Sequence, residues 1–205
     1  MQRALLLFFA LILWAAGFGQ SPKGRSLADW LKQPDSKEKV QAINDISFEL
    51  GKDNPDSMLL TGRIVVNIAL NIGDSLGLAW AYRRIGVAHT RLGHPADSSL
   101  LYLRTALDMS RRLNDPAGII SCAQKISDVQ IQQGKLNEAM DMLITSLQLS
   151  RTSGDKEEEA RSLNKMAQLY RKLGKMEPAL ESAFKSLAIR KELGASADIM
   201  LTMQT

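Results

Sequence analysis

The apolar positions of this chain recur in blocks. Leu163, Met166, Ala167 and Tyr170 follow the i, i+3, i+4, i+7 spacing of one helix face. Ala179, Ala183, Ser186 and Leu187 mark a second helix in the same way. Ala139, Leu143, Ser146 and Leu147 hold the equivalent places one period earlier, and Ser99, Leu103, Ala106 and Leu107 those of the period before. Small residues recur where two helices must approach closely, and larger ones fill between them. No stretch alternates with period two, so no strands are expected.

The punctuation between blocks keeps the same rhythm. Gly73-Asp74, Asn114-Asp115, Gly154-Asp155 and Gly194-Ala195 stand 41, 40 and 40 residues apart. Gly or Asn readily takes the left-handed conformation that ends a helix, and a following Asp caps the next one. Pro116 suits a first helical position, and Glu158 stands at capping-box spacing from Asp155. Gly93, Gly134 and Gly174 fall inside the periods and end the first helix of each. Every period is therefore helix, short turn, helix. A weaker copy precedes these. Asp35 to Gly51 reads as a helix capped by Asp35 and Glu38, with Val40, Ile43 and Ile46 as its stripe, and Asn54-Pro55 opens its mate. "DSMLL" from Asp56 parallels "DSSLL" from Asp97, and "SLADWLKQP" predicts one or two helical turns ahead of the array.

The first nineteen residues are of another kind. A positive start, "MQR", leads into the apolar run "ALLLFFALILWAAGF" and the small residues Gly17 and Gly19. This is the order of a secretory signal peptide cleaved before Gln20, and the run is shorter than the roughly 20 residues of a spanning helix. Export, most simply to a periplasm, is the expectation. No Cys follows the run, so lipoprotein processing is not expected. Cys122, the one cysteine, cannot form an internal disulfide and is expected to be a small packing residue.

These readings divide the chain into a signal peptide (1–19), an N-terminal segment (20–34), a divergent repeat (35–73), three repeats (74–114, 115–154 and 155–194) and the first helix of an incomplete repeat (195–205). That last segment, "ASADIMLTMQT", brings Ile199, Met200, Leu201 and Met203 without a partner helix. Either the natural product continues there, or an uncapped end is left for self-association.

Glycine ending a first helix, followed by Ala-x-x-x-Leu or its like on a second, resembles the tetratricopeptide repeat. "QLYRKLGKMEPALESAFKSL" carries the likeness best, with Tyr170, Gly174, Ala179, Ser186 and Leu187 at the motif's places, and "IGVAHTRLG" keeps Ile85-Gly86 with His89 where Tyr is usual. The period of 40 or 41 in place of 34 suits a long-helix variant. The resemblance implies an all-α, right-handed α-solenoid of antiparallel helix pairs over residues 35–205. With the leading signal peptide and "NPDSMLL", it is also similar to the exported sensory region of bacterial histidine kinases and transcription regulators.

In that family the first helices line a concave groove that takes an extended or helical peptide. Carried over place by place, the groove comprises Trp80, Arg83, Val87 and Arg91, then Ser121, Gln124, Asp128 and Gln132, then Arg161, Asn164, Gln168 and Arg171. Four arginines against one aspartate suit an acidic peptide or a free C-terminus, because guanidinium groups pair with carboxylates through parallel hydrogen bonds.

Composition narrows the alternatives. Apolar residues at 45% and charged residues at 23% allow a packed soluble core. The net charge of +4 is spread among acids and aromatics are 5%, which argues against nucleic-acid binding. No G-x-S-x-G, P-loop or H-E-x-x-H occurs. The carboxylates of "DKEEEAR" from Asp155 fit a helix's first turn. Met140, Met142 and Met166 read as core filler. His89 and His94 are not spaced to share a metal and have no Cys beside them. A non-catalytic scaffold without cofactor or metal is expected.

Overall fold

A computed structural model describes residues 25–194. The segment 1–19, expected to be a signal peptide, and the segment 195–205 lie outside the described residues. Within them the chain is all-helical, with α1 Leu27–Lys32, α2 Lys37–Asp53, α3 Pro55–Ile72, α4 Ser75–Arg91, α5 Ala96–Arg112, α6 Pro116–Gln132, α7 Leu136–Ser153, α8 Lys156–Lys172 and α9 Met176–Glu192. The helices pack in consecutive pairs. No described helix is long and apolar enough to cross a membrane. The described residues fall into two compact units, divided between Met109 and Ser110.

The joints explain the rhythm. Gly73, Gly93, Gly134, Gly154, Gly174 and Gly194 all have φ between 67° and 75°, and Asn114 has φ 51°. At each joint between α3 and α9 the residue after the turn donates its N–H five residues back: Asp74 to Ala69, His94 to His89, Asp115 to Ser110, Lys135 to Gln130, Asp155 to Ser150 and Lys175 to Tyr170, at 2.9–3.1 Å. This is the Schellman closure, which satisfies carbonyls left over at a helix end. Asp74, Asp115 and Asp155 then accept from the N–H three residues on, as N-caps of α4, α6 and α8. Lys135 and Lys175 provide no such cap to α7 and α9.

In the first unit, Asn54 caps α3 with Pro55 at its first position. The cap of α2 is Ser36 rather than Asp35: Ser36 Oγ accepts from Lys39 N at 3.1 Å, while Asp35 binds Lys39 Nζ at 3.0 Å. The short α1 has its own capping box, Ser26 with Asp29. It buries Leu27 and Trp30 in a core of Val40, Ile43, Ile46, Leu50, Val65, Ile68, Ala69 and Ala81. Lys39 is buried, and its ammonium fastens α1 to α2 by donating to Gln33 O at 2.7 Å and Leu31 O at 3.4 Å. Where α4 meets α5, Gly86 permits the approach: a Cβ there would stand 2.6 Å from Leu103 Cγ and 3.1 Å from Ser99 O.

The second unit is built on Ala139, Leu143, Leu147, Leu163, Met166 and Leu169. Cys122 is buried, as its setting in "GIISCAQKI" predicts. Ser146 and Ser186 are fully buried; Ser186 Oγ donates to Ala160 O at 2.7 Å, so the small places admit a hydrogen bond between paired helices.

Candidate functional site

The residues expected to line a groove lie on α4, α6 and α8, and each unit presents its share separately. On α4, Trp80, Arg83 and Val87 are half-buried and Arg91 is exposed. Arg91 has a defined task. A helical Gly51 carbonyl would bond the N–H of residue 55, which is Pro55 and has none. Arg91 Nη1 donates to that carbonyl instead, so it closes the end of α2.

A residue absent from the predicted set dominates this face. The half-buried Arg84 guanidinium lies 4.6 Å from the centroid of the Phe48 ring, and Lys52 Nζ lies 5.1 Å from the same centroid. Phe48, on α2, is 44% exposed. Arg84 Nε is buried without a hydrogen-bond partner among the described residues. Burial, with the charges of Arg83 and Arg91, pulls Arg84 down to about 10, while Asp45 and Glu49 act the other way. Burial likewise pushes the Asp45 carboxyl up, against the attraction of Arg84. Glu49 is bonded to Lys52 at 2.6 Å.

In the second unit, two predicted groove residues lie below the surface. Gln124 is 3% exposed, and its Nε2 donates to Glu158 Oε2 at 2.9 Å, Ser162 Oγ at 3.1 Å and Ser146 Oγ at 3.3 Å. Asn164 is also buried. Gln124 thus bonds across the seam where α6, α7 and α8 meet and ties repeats together, while Asn164 Oδ1 is buried without a hydrogen-bond partner among the described residues. Arg161 is exposed but engaged, with Nη2 on Glu157 at 2.7 Å and Nη1 on Glu158. Asp128 accepts from Lys165 and has Lys125 at 3.9 Å. Ser121 is half-buried; Gln132, Gln168 and Arg171 are exposed. The count of four arginines against one aspartate thus omits the acids from neighbouring positions that balance Arg161. Glu158 also departs from the expected capping box: its N–H meets Asp155, but its carboxylate serves Gln124 and Arg161.

His89 and His94, read from sequence as not spaced to share a metal, are in contact. Their Nδ1 atoms are 2.7 Å apart, and His89 stacks on Tyr102 with centroids 5.3 Å apart. The Schellman closure at Gly93 brings these two positions together. No group of three or more potential metal ligands occurs among the described residues.

Comparison with known proteins adds the fold's relatives. Residues 119–192 match the tetratricopeptide repeat. No curated protein matches the sequence. Among solved structures, the chain is similar to aspartyl phosphate phosphatase F from Bacillus subtilis (TM-score 0.75, 14% identity, 86% of this chain and 46% of that one). It is also similar to a Rap protein complexed with competence and sporulation factor (TM-score 0.70, 15% identity, 76% and 43%). A third is a kinesin light chain from Podosopora anserina with nearly identical TPR-like repeats (TM-score 0.63, 12% identity, 78% and 78%). The chain spans less than half the length of the first two. At these identities the likeness is one of fold: paired helices stacked as in TPR-like solenoids.

Proposed function

We propose that this chain is a non-catalytic scaffold that binds a protein or peptide through the faces of its first helices. The observation that carries the reading is the α2–α4 face, where an exposed aromatic ring is flanked by Arg84 and Lys52. An exposed aromatic beside a half-buried guanidinium is the composition of a binding anchor rather than of a solvated helix side. The repeat match points the same way, and one neighbour of this fold was solved complexed with a factor. The leader in residues 1–19 extends the proposal to an exported protein acting in a periplasm. A second reading, the sensory part of a longer signalling protein, draws on the fact that the chain matches under half of two of its structural neighbours.

Selection of random peptides on the purified chain tests the central proposal. It predicts enrichment of a shared motif that is lost on Arg84→Gln; a selection with no enrichment would count against a peptide-binding function.

A further inference from the structure

We propose that His89 and His94 form a binding site for a divalent copper ion, held by the two Nδ1 atoms with water in its remaining places. It goes beyond the scaffold reading and does not rest on it. The sequence holds two histidines, and the fold sets both at one turn. His89 lies in the last turn of α4, and the Schellman closure fixes the backbone between the two: His94 N donates to His89 O at 3.1 Å across the left-handed Gly93. The His89 ring is steadied by stacking on Tyr102, whose own ring lies 6.0 Å from that of Tyr82 between centroids. His94 is exposed, so one side of the pair is open to an incoming ion. A chelating pair is thus assembled before any metal arrives, which spares part of the ordering cost of binding.

The separation selects the metal. The Nδ1 atoms are 2.7 Å apart. With metal–nitrogen bonds of about 2.0 Å they subtend about 85° at the ion, close to the right angle between neighbouring places of a square-planar copper centre. Tetrahedral zinc needs about 3.3 Å between two such ligands. Copper also binds a given nitrogen site more tightly than the other divalent first-row metals. In the free chain one ring N–H donates to the other ring's nitrogen. To chelate, that ring shifts its proton to its own Nε2, and the exposed His94 ring pivots toward the ion. Two features restrain the affinity. Arg63 bears on His89 with a like charge to the metal's. The His89 Nε2, which carries the proton once Nδ1 is on the metal, is buried without a hydrogen-bond partner among the described residues. A micromolar rather than a nanomolar site is therefore expected.

Calorimetry and electron paramagnetic resonance of the tag-free full chain with copper(II) chloride test the site. Wild type should bind one ion, with hyperfine structure from two ring nitrogens. His94→Asn, at an exposed turn position, and His89→Phe, which keeps a ring to stack on Tyr102, should each weaken binding about tenfold or more, because losing a ligand costs at least as much as losing a group that supports one. Zinc chloride should bind about tenfold or more weakly than copper. The proposal is overturned by an absence of binding up to about 1 mM copper, by equal affinity in wild type and His94→Asn, by a wild-type spectrum that counts a single ring nitrogen, or by zinc bound as tightly as copper. Should His89→Phe melt, His94→Asn alone carries the comparison.

Discussion

Gln124→Glu exchanges one amide N–H₂ for an oxygen of nearly the same size, at the point where α6, α7 and α8 share a hydrogen-bond cluster. In the native chain Gln124 Nε2 reaches Glu158 Oε2 at 2.9 Å. The variant would place two carboxylates there. At about 3 Å and an effective dielectric of about 20, their repulsion is about 5 kcal/mol. Protonating one of them at pH 7 is cheaper: at about 1.36 kcal/mol per pH unit from an ordinary glutamate value, it costs about 4 kcal/mol. The protonated carboxyl then restores a donor, so protonation wins and sets the loss at about 3–4 kcal/mol at pH 7. The new pair holds a proton more tightly folded than unfolded. Its penalty is therefore full well above the ordinary glutamate pKa and shrinks as pH falls, to about 1 kcal/mol at pH 5. Gln124→Met removes the donors without adding charge and should cost about 2–3 kcal/mol at both pH values. Urea unfolding of the two variants at pH 7 and pH 5 separates the cases. A Gln124→Glu penalty that is equal at both pH values would refute the assignment of Gln124 to this cluster.

Four further outcomes are expected. Arg91→Ala leaves the buried Gly51 carbonyl without its donor and should lower stability by about 1–2 kcal/mol in urea titrations, with Arg91→Lys recovering part of it. Gly86→Ala gains about 1 kcal/mol of helix propensity but drives a methyl into Leu103; overpacking of about 1–3 kcal/mol should outweigh the gain, giving a lower melting temperature. Burial, then His94 and Arg63, hold His89 below its usual pKa of 6.5. The stability from its neutral form is thus present above that value and lost as pH falls below it, and His89→Phe should flatten the decline in urea midpoint between pH 7 and pH 5.5, measured against wild type. Glu157→Gln releases Arg161 from its exposed partner; stability in urea titrations should shift by no more than about 1 kcal/mol.

The helix-level plan was legible because each joint depends on local backbone chemistry. Positive φ at Gly, N–H acceptance by Asp and the missing N–H of proline are properties of neighbouring residues, so Gly73-Asp74, Asn54-Pro55 and Asp115-Pro116 could be read directly. The exception at α2 is instructive. Asp35 and Ser36 are both good caps; the choice went to Ser36 because Asp35 pairs with Lys39 Nζ, an ammonium whose other acceptors come from the end of α1. The contact of His89 with His94 was also open to sequence reasoning. A Schellman turn sets the third residue from the helix end beside the second residue beyond the cap, and Gly93 already marked that turn.

The binding face was less legible because it depends on what lies across from each position. Arg161 looked available in its own helix, yet Glu157 and Glu158, one turn before it, match the spacing at which acidic and basic side chains meet on a helix. Their place in the first turn of the helix suggested the macrodipole and, for Glu158, a capping box, and neither reading looks one turn ahead to Arg161. Gln124 and Asn164 hold groove places by register but are buried; Gln124 bonds across the seam instead of meeting solvent. Arg84 was missed for the opposite reason: its neighbour Phe48 comes from 36 residues earlier, and no local pattern joins them. The two units consequently differ in what they offer. In the second, Arg161, Lys165 and Arg151 are each matched by an acid of the same unit. In the first, the Arg84 guanidinium rests on the exposed ring of Phe48, so that face joins a cation to an aromatic where the second unit pairs cations with acids.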